Sequence, residues 1–446
     1  MIRRETAMDI VERIKSAGVV GAGGAGFPTH IKLSCKAAVV IANGAECEPL
    51  LRVDQTLMQT QANRVVSGME AAMAAVGAEL GVIATKSHYH EAVDALKEAI
   101  GDKRHIRLHL MKSYYPAGDE KSLIYDITGR VVPSAKLPLD VNCVVVNVAT
   151  LIGIADALDG QPVVDKVLTF GGDVDKPVTL RVPIGTPVKA LLKLAGFHGS
   201  EEEYALIIGG PCMGRLEENW NVPVTKTMGG VLVFKRSHPL IVQQTMPLER
   251  QAKLAQAVCC QCSQCTQMCP RNALGLNVQP HKVMRAAAMG DAKLIGDVNG
   301  LLACSSCGLC TNYACNFGLQ PSAMMTMFKT KLTAAGVRPQ PEERIVPDSA
   351  LNLKRLPTGR LIARMGLSAY DVPAPLMDHM AEPKRVRIPL QMHVGKPAEP
   401  AVAVGDAVKR GDMIGRIPEN ALGAAVHASI SGTVAKIAGG CIEIKA

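Results

Sequence analysis

The sequence predicts a multidomain chain of α/β and α+β units, followed by a helical segment built around cysteines and closed by an all-β module. Three observations predict it. Helix-like and strand-like runs alternate through the first half, eight of the fourteen cysteines crowd into two runs within residues 259–315, and from Val386 onward short strands are broken by Gly-Asp and Gly-Gly turns. With 446 residues the chain is long enough for roughly three or four domains, each with its own core.

At the amino end Thr6 and Asp9 form a capping box, and Ile10, Val11, Ile14 and Ala17 recur at helical spacing, which predicts a helix over 7–17 ended by Gly18. The loop Gly21-Ala22-Gly23-Gly24-Ala25-Gly26-Phe27-Pro28-Thr29-His30 follows. It contains G-x-G-x-x-G, yet a dinucleotide fingerprint needs a strand before it and a helix after it. Here a helix precedes the loop and a strand over 37–42 follows, so that reading fails. A loop with so few Cβ atoms still lets backbone N–H groups approach a phosphate or a flat ring.

The most apolar stretch, 141–158, is interrupted by Asn142, Asn147 and Asp156, and reads as a buried strand running into a helix, with no transmembrane segment. Strand-like runs at 178–182, 206–209 and 230–234 around a helical 188–195 predict a small α+β unit over 163–236. Within it, Cys212 and Met213 read as packed side chains. Helices are expected at 282–288 and 323–331. Seven prolines in 336–385 (Pro339, Pro341, Pro347, Pro357, Pro373, Pro375, Pro383) suit an extended linker lying against the body.

The chain starts Met-Ile-Arg-Arg with no apolar leader, so its thiols are expected to be reduced in the cytoplasm. A net charge of +9 raises the question of nucleic acid. The basic residues are dispersed, however, and aromatics make up only 3% of the chain, which leaves no stacking surface for bases; a solvated basic exterior is expected.

The cysteine runs are Cys259-x2-Cys262-x2-Cys265-x3-Cys269-Pro270 and Cys304-x2-Cys307-x2-Cys310-x4-Cys315. Zinc sites use two separated pairs of ligands, whereas these are two quartets, so iron–sulfur clusters are expected ahead of zinc or disulfides. The first run resembles the ligand pattern of bacterial two-cluster ferredoxins, in which the fourth cysteine ligates the other cluster. That resemblance implies two [4Fe–4S] clusters, one held by Cys259, Cys262, Cys265 and Cys315 and the other by Cys304, Cys307, Cys310 and Cys269. Cys260 is off the spacing and reads as a bystander. His281 reads as a surface histidine.

The glycine loop resembles the flavin loop of the NADH-oxidising subunit of respiratory complex I and of the related RnfC protein of the Rnf electron-transport complex. Asn43-Gly44-Ala45-Glu46-Cys47-Glu48-Pro49, Tyr115-Pro116-Ala117-Gly118-Asp119-Glu120-Lys121 and Asn147-Val148-Ala149-Thr150-Leu151 are similar to further flavin-pocket segments of that family. The resemblance implies FMN as cofactor and NADH as electron source. It carries cofactor-binding roles onto Gly21, Gly23, Gly24, Gly26, Phe27, Asn43, Glu46, Glu48, Tyr115, Gly118, Asp119, Glu120, Asn147 and Thr150. Complex I subunits have an aspartate at the position of Ala45 and usually a glutamate at that of Asp119, so the wording follows the Rnf branch. Glu46 or Glu48 suits a carboxylate accepting hydrogen bonds from ribose hydroxyls.

Resemblance thus divides the chain into an FMN/NADH domain (1–160), a soluble-ligand-binding β-grasp domain (161–250), a ferredoxin-like domain (251–335), the linker (336–385) and a biotinyl/lipoyl-like barrel-sandwich hybrid (386–446). No lysine stands at the barrel's tip, 418–423, so lipoylation is not expected. RnfC carries this barrel ahead of its flavin domain. Here the barrel follows the clusters, an order similar to the cobalamin reductase family of propanediol-utilisation microcompartments. That similarity implies electron flow from NADH through FMN and two clusters to cobalamin as substrate, with an adenosyltransferase and microcompartment shell or lumen proteins as partners. No catalytic acid or base is required by such a scheme. Two alternatives are an Rnf-like subunit feeding a membrane ion pump and a non-enzymatic iron–sulfur scaffold.

Overall fold

The computed structural model describes residues 6–342, 345–377 and 382–446. The predicted capping box closes the first helix, Ala7–Ser16, with Asp9 N donating to Thr6 Oγ1. Val20 then bridges Pro28 and Gly21 N donates to Phe27 O at 3.0 Å, so the glycine loop is a closed turn rather than a flap.

Behind it lies a four-stranded parallel sheet in the order Ile106–Met111, Leu80–Lys86, Val39–Gly44, Cys143–Asn147. The strands Val39–Gly44 and Cys143–Asn147 are almost wholly buried apolar runs, as a parallel sheet covered on both faces requires. The chain winds outward from Val39–Gly44 to Ile106–Met111, then returns to place Cys143–Asn147 on the other side. Strand order therefore reverses between Val39–Gly44 and Cys143–Asn147, and the crevice beyond their carboxyl ends is where ligands of open α/β sheets bind. The helix Val148–Leu158 continues directly from the last strand, as expected from the run over 141–158. It packs on Ala62–Val76 closely enough that a Cβ on Gly68 would sit 1.9 Å from Leu151 O.

The next unit is a mixed sheet of Asp165–Gly172, Val178–Pro183, Tyr204–Ile208, Arg215–Glu217 and Gly230–Lys235, with the helix Val188–Leu192. Numbered along the chain its strands stand 2-1-5-3-4, with the first and last parallel, which is a β-grasp arrangement. The helices Leu248–Val258, Pro280–Met289 and Pro321–Ala334 surround the cysteine loops.

The proline-rich segment corrects the linker expectation. Leu356–Pro357 pairs antiparallel with Tyr114–Tyr115, Leu376–Met377 adds a parallel strand beside Val178–Pro183, and the helix Thr358–Arg364 lies between them. Prolines are tolerated because these are edge positions and a helix start. Leu356, Leu361, Ile362, Met365 and Leu367 are buried in a core shared with Tyr115 and Phe234, so apolar burial holds the segment in place.

The carboxyl-terminal barrel consists of a four-stranded and a three-stranded sheet around Val386, Ile388, Ile414, Val434 and Ile442. It docks on the glycine loop from behind. Val394 N donates to Gly26 O, and the buried Lys226 ammonium donates to both Gly18 O and Ala425 O. No helix among the described residues is long and apolar enough to cross a membrane.

Candidate functional site

Asn43 and Asn147 stand opposite each other in register at the reversal point. Asn147 caps the following helix by accepting from Ala149 N, and its Nδ2 donates to Asp54 Oδ2 at 2.9 Å. Asn43 Nδ2 donates to Gly118 O at 3.0 Å, tying the second predicted loop to the first strand. The glycine loop closes over this pair. Ala22 N donates to the Thr150 hydroxyl at 2.9 Å, and a Cβ on Gly23 would lie 2.8 Å from Asn147 Nδ2. Gly24 faces open space. Gly26, at φ +75°, meets Met392 O and Thr227 and serves the loop's seat on the barrel, while Phe27 remains exposed.

Two clefts flank this crevice. One, of about 400 Å³, is lined by Ala22, Thr150, Lys166, Lys226 and Arg410. Lys166 is buried and donates to the carbonyl of Ala22 at 3.3 Å; burial lowers its pKa to about 8, partly opposed by the charge of Asp54. The other, of about 950 Å³, is lined by Glu46, Cys47, Glu48, Lys86 and Tyr89, and its far wall is Thr358 with 371–375 of the proline-rich segment. An ion pair between Arg52 and Asp371 holds that wall.

The predicted acids are engaged within the protein. Glu46 accepts from Asp54 N and Gln55 N at the start of the helix Val53–Thr60. Burial pushes both Glu46 and Asp54 up, and the negative charge of Glu46 raises Asp54 further. Glu48 accepts from Cys212 N at 2.9 Å, and burial raises its pKa to about 7. Tyr115, fully buried, donates to Cys307 O at 2.6 Å and lies 3.3 Å from Glu48 Oε1. The same hydroxyl also donates toward Glu48 Oε1, as the longer of two contacts that share one proton. Asp119 caps the helix Glu120–Thr128 and pairs with Arg271, while Glu120 lies 3.5 Å from Lys32 at the rim. Sequence reasoning did not single out Lys32, Cys47, Lys86 or Lys166. Lys32 and Cys47 lie in or beside a predicted loop, whereas Lys86 and Lys166 sit on strands and reach the site through the fold.

The cysteine loops are built alike. In each, the middle cysteine is flanked by left-handed residues: Gln261 and Ser263 around Cys262, Ser306 and Gly308 around Cys307. Such alternation turns backbone N–H groups inward as a nest, and Ser306 N points to Cys304 Sγ. The likeness extends further. Thr266, after the third cysteine, bonds His281 beyond Gln279-Pro280, and Thr311 bonds Ser322 beyond Gln320-Pro321. His281 is thus a partner of the repeat, which corrects its reading as a plain surface histidine.

Electrostatic neighbours group the thiols. Burial raises Cys265 to about 12, and Cys315, Cys259 and Cys262 add to it; Cys269 is raised by burial and then by Cys307 and Cys304. Cys310 is raised by burial and then by Cys307, Cys304, Cys269 and Cys265, so the two groups of thiols lie beside each other. Among the described residues no three His, Cys, Asp or Glu side chains converge as they would around one ion. A tetrahedral zinc would hold its sulfurs within about 4 Å of one another, whereas a cubane takes each thiolate on a different iron and so needs them farther apart. Two sets of four thiols suit iron–sulfur clusters by the chemistry of their donors, since ligation favours the thiolate. Cys260 is exposed.

Crevice and quartets together define a flavin and iron–sulfur oxidoreductase. Families described as the Nuo51 FMN-binding domain, the 4Fe-4S dicluster domain and the RnfC barrel sandwich hybrid domain match residues 14–156, 258–320 and 374–443. Cobalamin reductase PduS of Salmonella typhimurium is 42% identical over 98% of this chain and 97% of its own length. The Citrobacter freundii protein of that name is 41% identical over 97% and 95%. One subunit of the Na(+)-translocating ferredoxin:NAD(+) oxidoreductase complex of Acetobacterium woodii is 38% identical, over 60% of this chain and 59% of its own length. The chain belongs to the cobalamin reductase PduS family.

Proposed function

We propose that the chain is an NADH-dependent cobalamin reductase, serving coenzyme recycling for propanediol degradation. The observation that carries this reading is the match to cobalamin reductases along practically the whole chain, with flavin, cluster and barrel modules in one molecule. When bound, FMN supplies the exchange between a two-electron hydride donor and one-electron carriers, and the clusters pass single electrons toward cobalt.

The protein's own part is holding and insulating. Gly23 and Gly24 let the loop backbone approach the flavin, Thr150 fixes that loop through Ala22, and Lys166 offers a desolvated ammonium to a phosphate. Asn43, Asn147 and Gly118 form the crevice floor, and the larger cleft beside Glu46 and Glu48 is spacious enough for a nicotinamide nucleotide. Both acids already accept backbone N–H bonds, so their part is to shape the walls, with ribose hydroxyls as second donors. Cys259, Cys262, Cys265 and Cys315 hold one [4Fe–4S] cluster and Cys269, Cys304, Cys307 and Cys310 another. An adenosyltransferase and microcompartment proteins are the partners, in a cytoplasmic microcompartment. The test is anaerobic purification, release of flavin by denaturation, and NADH addition. FMN release and bleaching of the cluster absorbance are expected; absence of both overturns the reading.

A further inference from the structure

The two quartets differ in their surroundings. The loop around Cys307 is enclosed: no residue from Ala303 to Thr311 is exposed. It is also tied to the flavin side at three points. Tyr115 of the second flavin loop donates to Cys307 O. Arg271, which follows Cys269 by two residues, pairs with Asp119 of that same loop and donates to Ala303 O beside Cys304. On the β-grasp side, Gly308 abuts the carbonyl of Cys212, whose N–H is held by Glu48. The loop around Cys262 has the opposite character. Cys260, Gln261 and Cys262 are exposed, as are Val258 before them and Phe317 beyond Cys315, and among the described residues none of these has a hydrogen bond to the flavin loops. Between the quartets, the short helix Gln264–Gln267 carrying Cys265 packs on the turn Cys310–Ala314 that starts at Cys310.

We propose that the quartets act in a fixed order: Cys269, Cys304, Cys307 and Cys310 form an inner quartet that receives electrons from the flavin side, and Cys259, Cys262, Cys265 and Cys315 form an outer quartet that delivers them at the surface. Transfer runs across the contact between the helix of Cys265 and the turn of Cys310. Tyr115 and Arg271 are positioning residues that fix the inner quartet against the flavin crevice. The inference rests on NADH as donor through FMN. One NADH becomes NAD⁺ with release of a proton and two electrons; these cross the quartets singly, and two cob(III)alamin molecules each take one to become cob(II)alamin.

Cys262→Ala and Cys307→Ala test the order in the anaerobic full-length holoprotein. With the outer quartet broken, NADH bleaches the remaining cluster at a rate within about twofold of the intact protein, while reduction of hydroxocobalamin falls at least about tenfold. With the inner quartet broken, dithionite reduces the remaining cluster and NADH does not. The reverse pattern overturns the order. A second measurement needs no ligand substitution. Attaching a polyethylene-glycol maleimide to Cys260 of the intact protein leaves NADH bleaching unchanged and slows hydroxocobalamin reduction severalfold, and Cys260→Ala is indifferent to the reagent. Unchanged reduction after attachment overturns the proposal. If the intact protein is bleached by NADH yet leaves hydroxocobalamin oxidised, the cobalamin reading fails, and the bleaching pattern of the two variants decides the order alone.

Discussion

Replacing Asp119 by Asn removes a buried charge while keeping the side chain's shape and its helix cap. Its carboxylate is 4% exposed and accepts from Arg271 Nη2 at 2.7 Å and Nε at 3.0 Å; the guanidinium is 15% exposed. At the surface such a pair would contribute at most about 1 kcal/mol. Here the variant leaves a desolvated guanidinium facing a neutral amide, and breaking a buried pair costs about 3–5 kcal/mol. Because Asn still accepts from Ser122 N, the cap worth about 1 kcal/mol is retained, and the loss reports the ion pair. Denaturant unfolding, followed separately by flavin fluorescence and cluster absorbance, should show Asp119→Asn destabilised by about 3 kcal/mol and Arg271→Met by a similar amount. In the double variant the two losses should overlap, with a coupling of about 2 kcal/mol. Additive losses, with coupling below about 0.5 kcal/mol, would refute the reasoning that this pair joins the flavin loop to the inner quartet.

Gly23→Ala should fold yet lose FMN, since its Cβ would sit 2.8 Å from Asn147 Nδ2, whereas Gly24→Ala, with nothing within 4 Å, should fold as stably as the parent. Flavin content and thermal midpoint check both. Glu48→Gln tests the raised pKa of about 7. The folded protein favours the protonated acid, so its ionisation penalty is absent below the ordinary value of 4.5, grows as pH rises, and is complete above 7. The variant should therefore gain on the parent across that window, by at most about 3 kcal/mol; a gain independent of pH contradicts the assignment. FMN affinity, measured by fluorescence, should weaken as pH rises past about 8, where Lys166 loses its proton. Lys166→Met should bind more weakly and lose that dependence.

Spacing made a two-cluster domain legible over the cysteine runs, because a tight loop can present three thiolates, and a 4Fe-4S dicluster domain matches residues 258–320. The capping box of the first helix and the strand-to-helix run over 141–158 were also readable, being local periodicity and capping. The acids were harder. Glu46 and Glu48 look like free loop carboxylates, and only the fold shows that Gln55 and Cys212, one of them far along the chain, already donate to them. The proline-rich segment misled for a related reason. Its prolines mark turns and edges, but the burial of Leu356, Leu361 and Met365 depends on Tyr115 and Phe234, far away in sequence. The ties that order the quartets, Tyr115 to Cys307 and Asp119 to Arg271, are likewise long-range and leave no periodic trace.

The most direct test of the central claim is the stoichiometry of anaerobic NADH oxidation by the purified holoprotein with hydroxocobalamin, both followed in one spectrum. The account predicts two cob(II)alamin formed for each NADH consumed, with the activity lost when either quartet is broken. NADH oxidation that leaves cobalt in its original state, or cobalt reduction that survives the loss of either quartet, would contradict it.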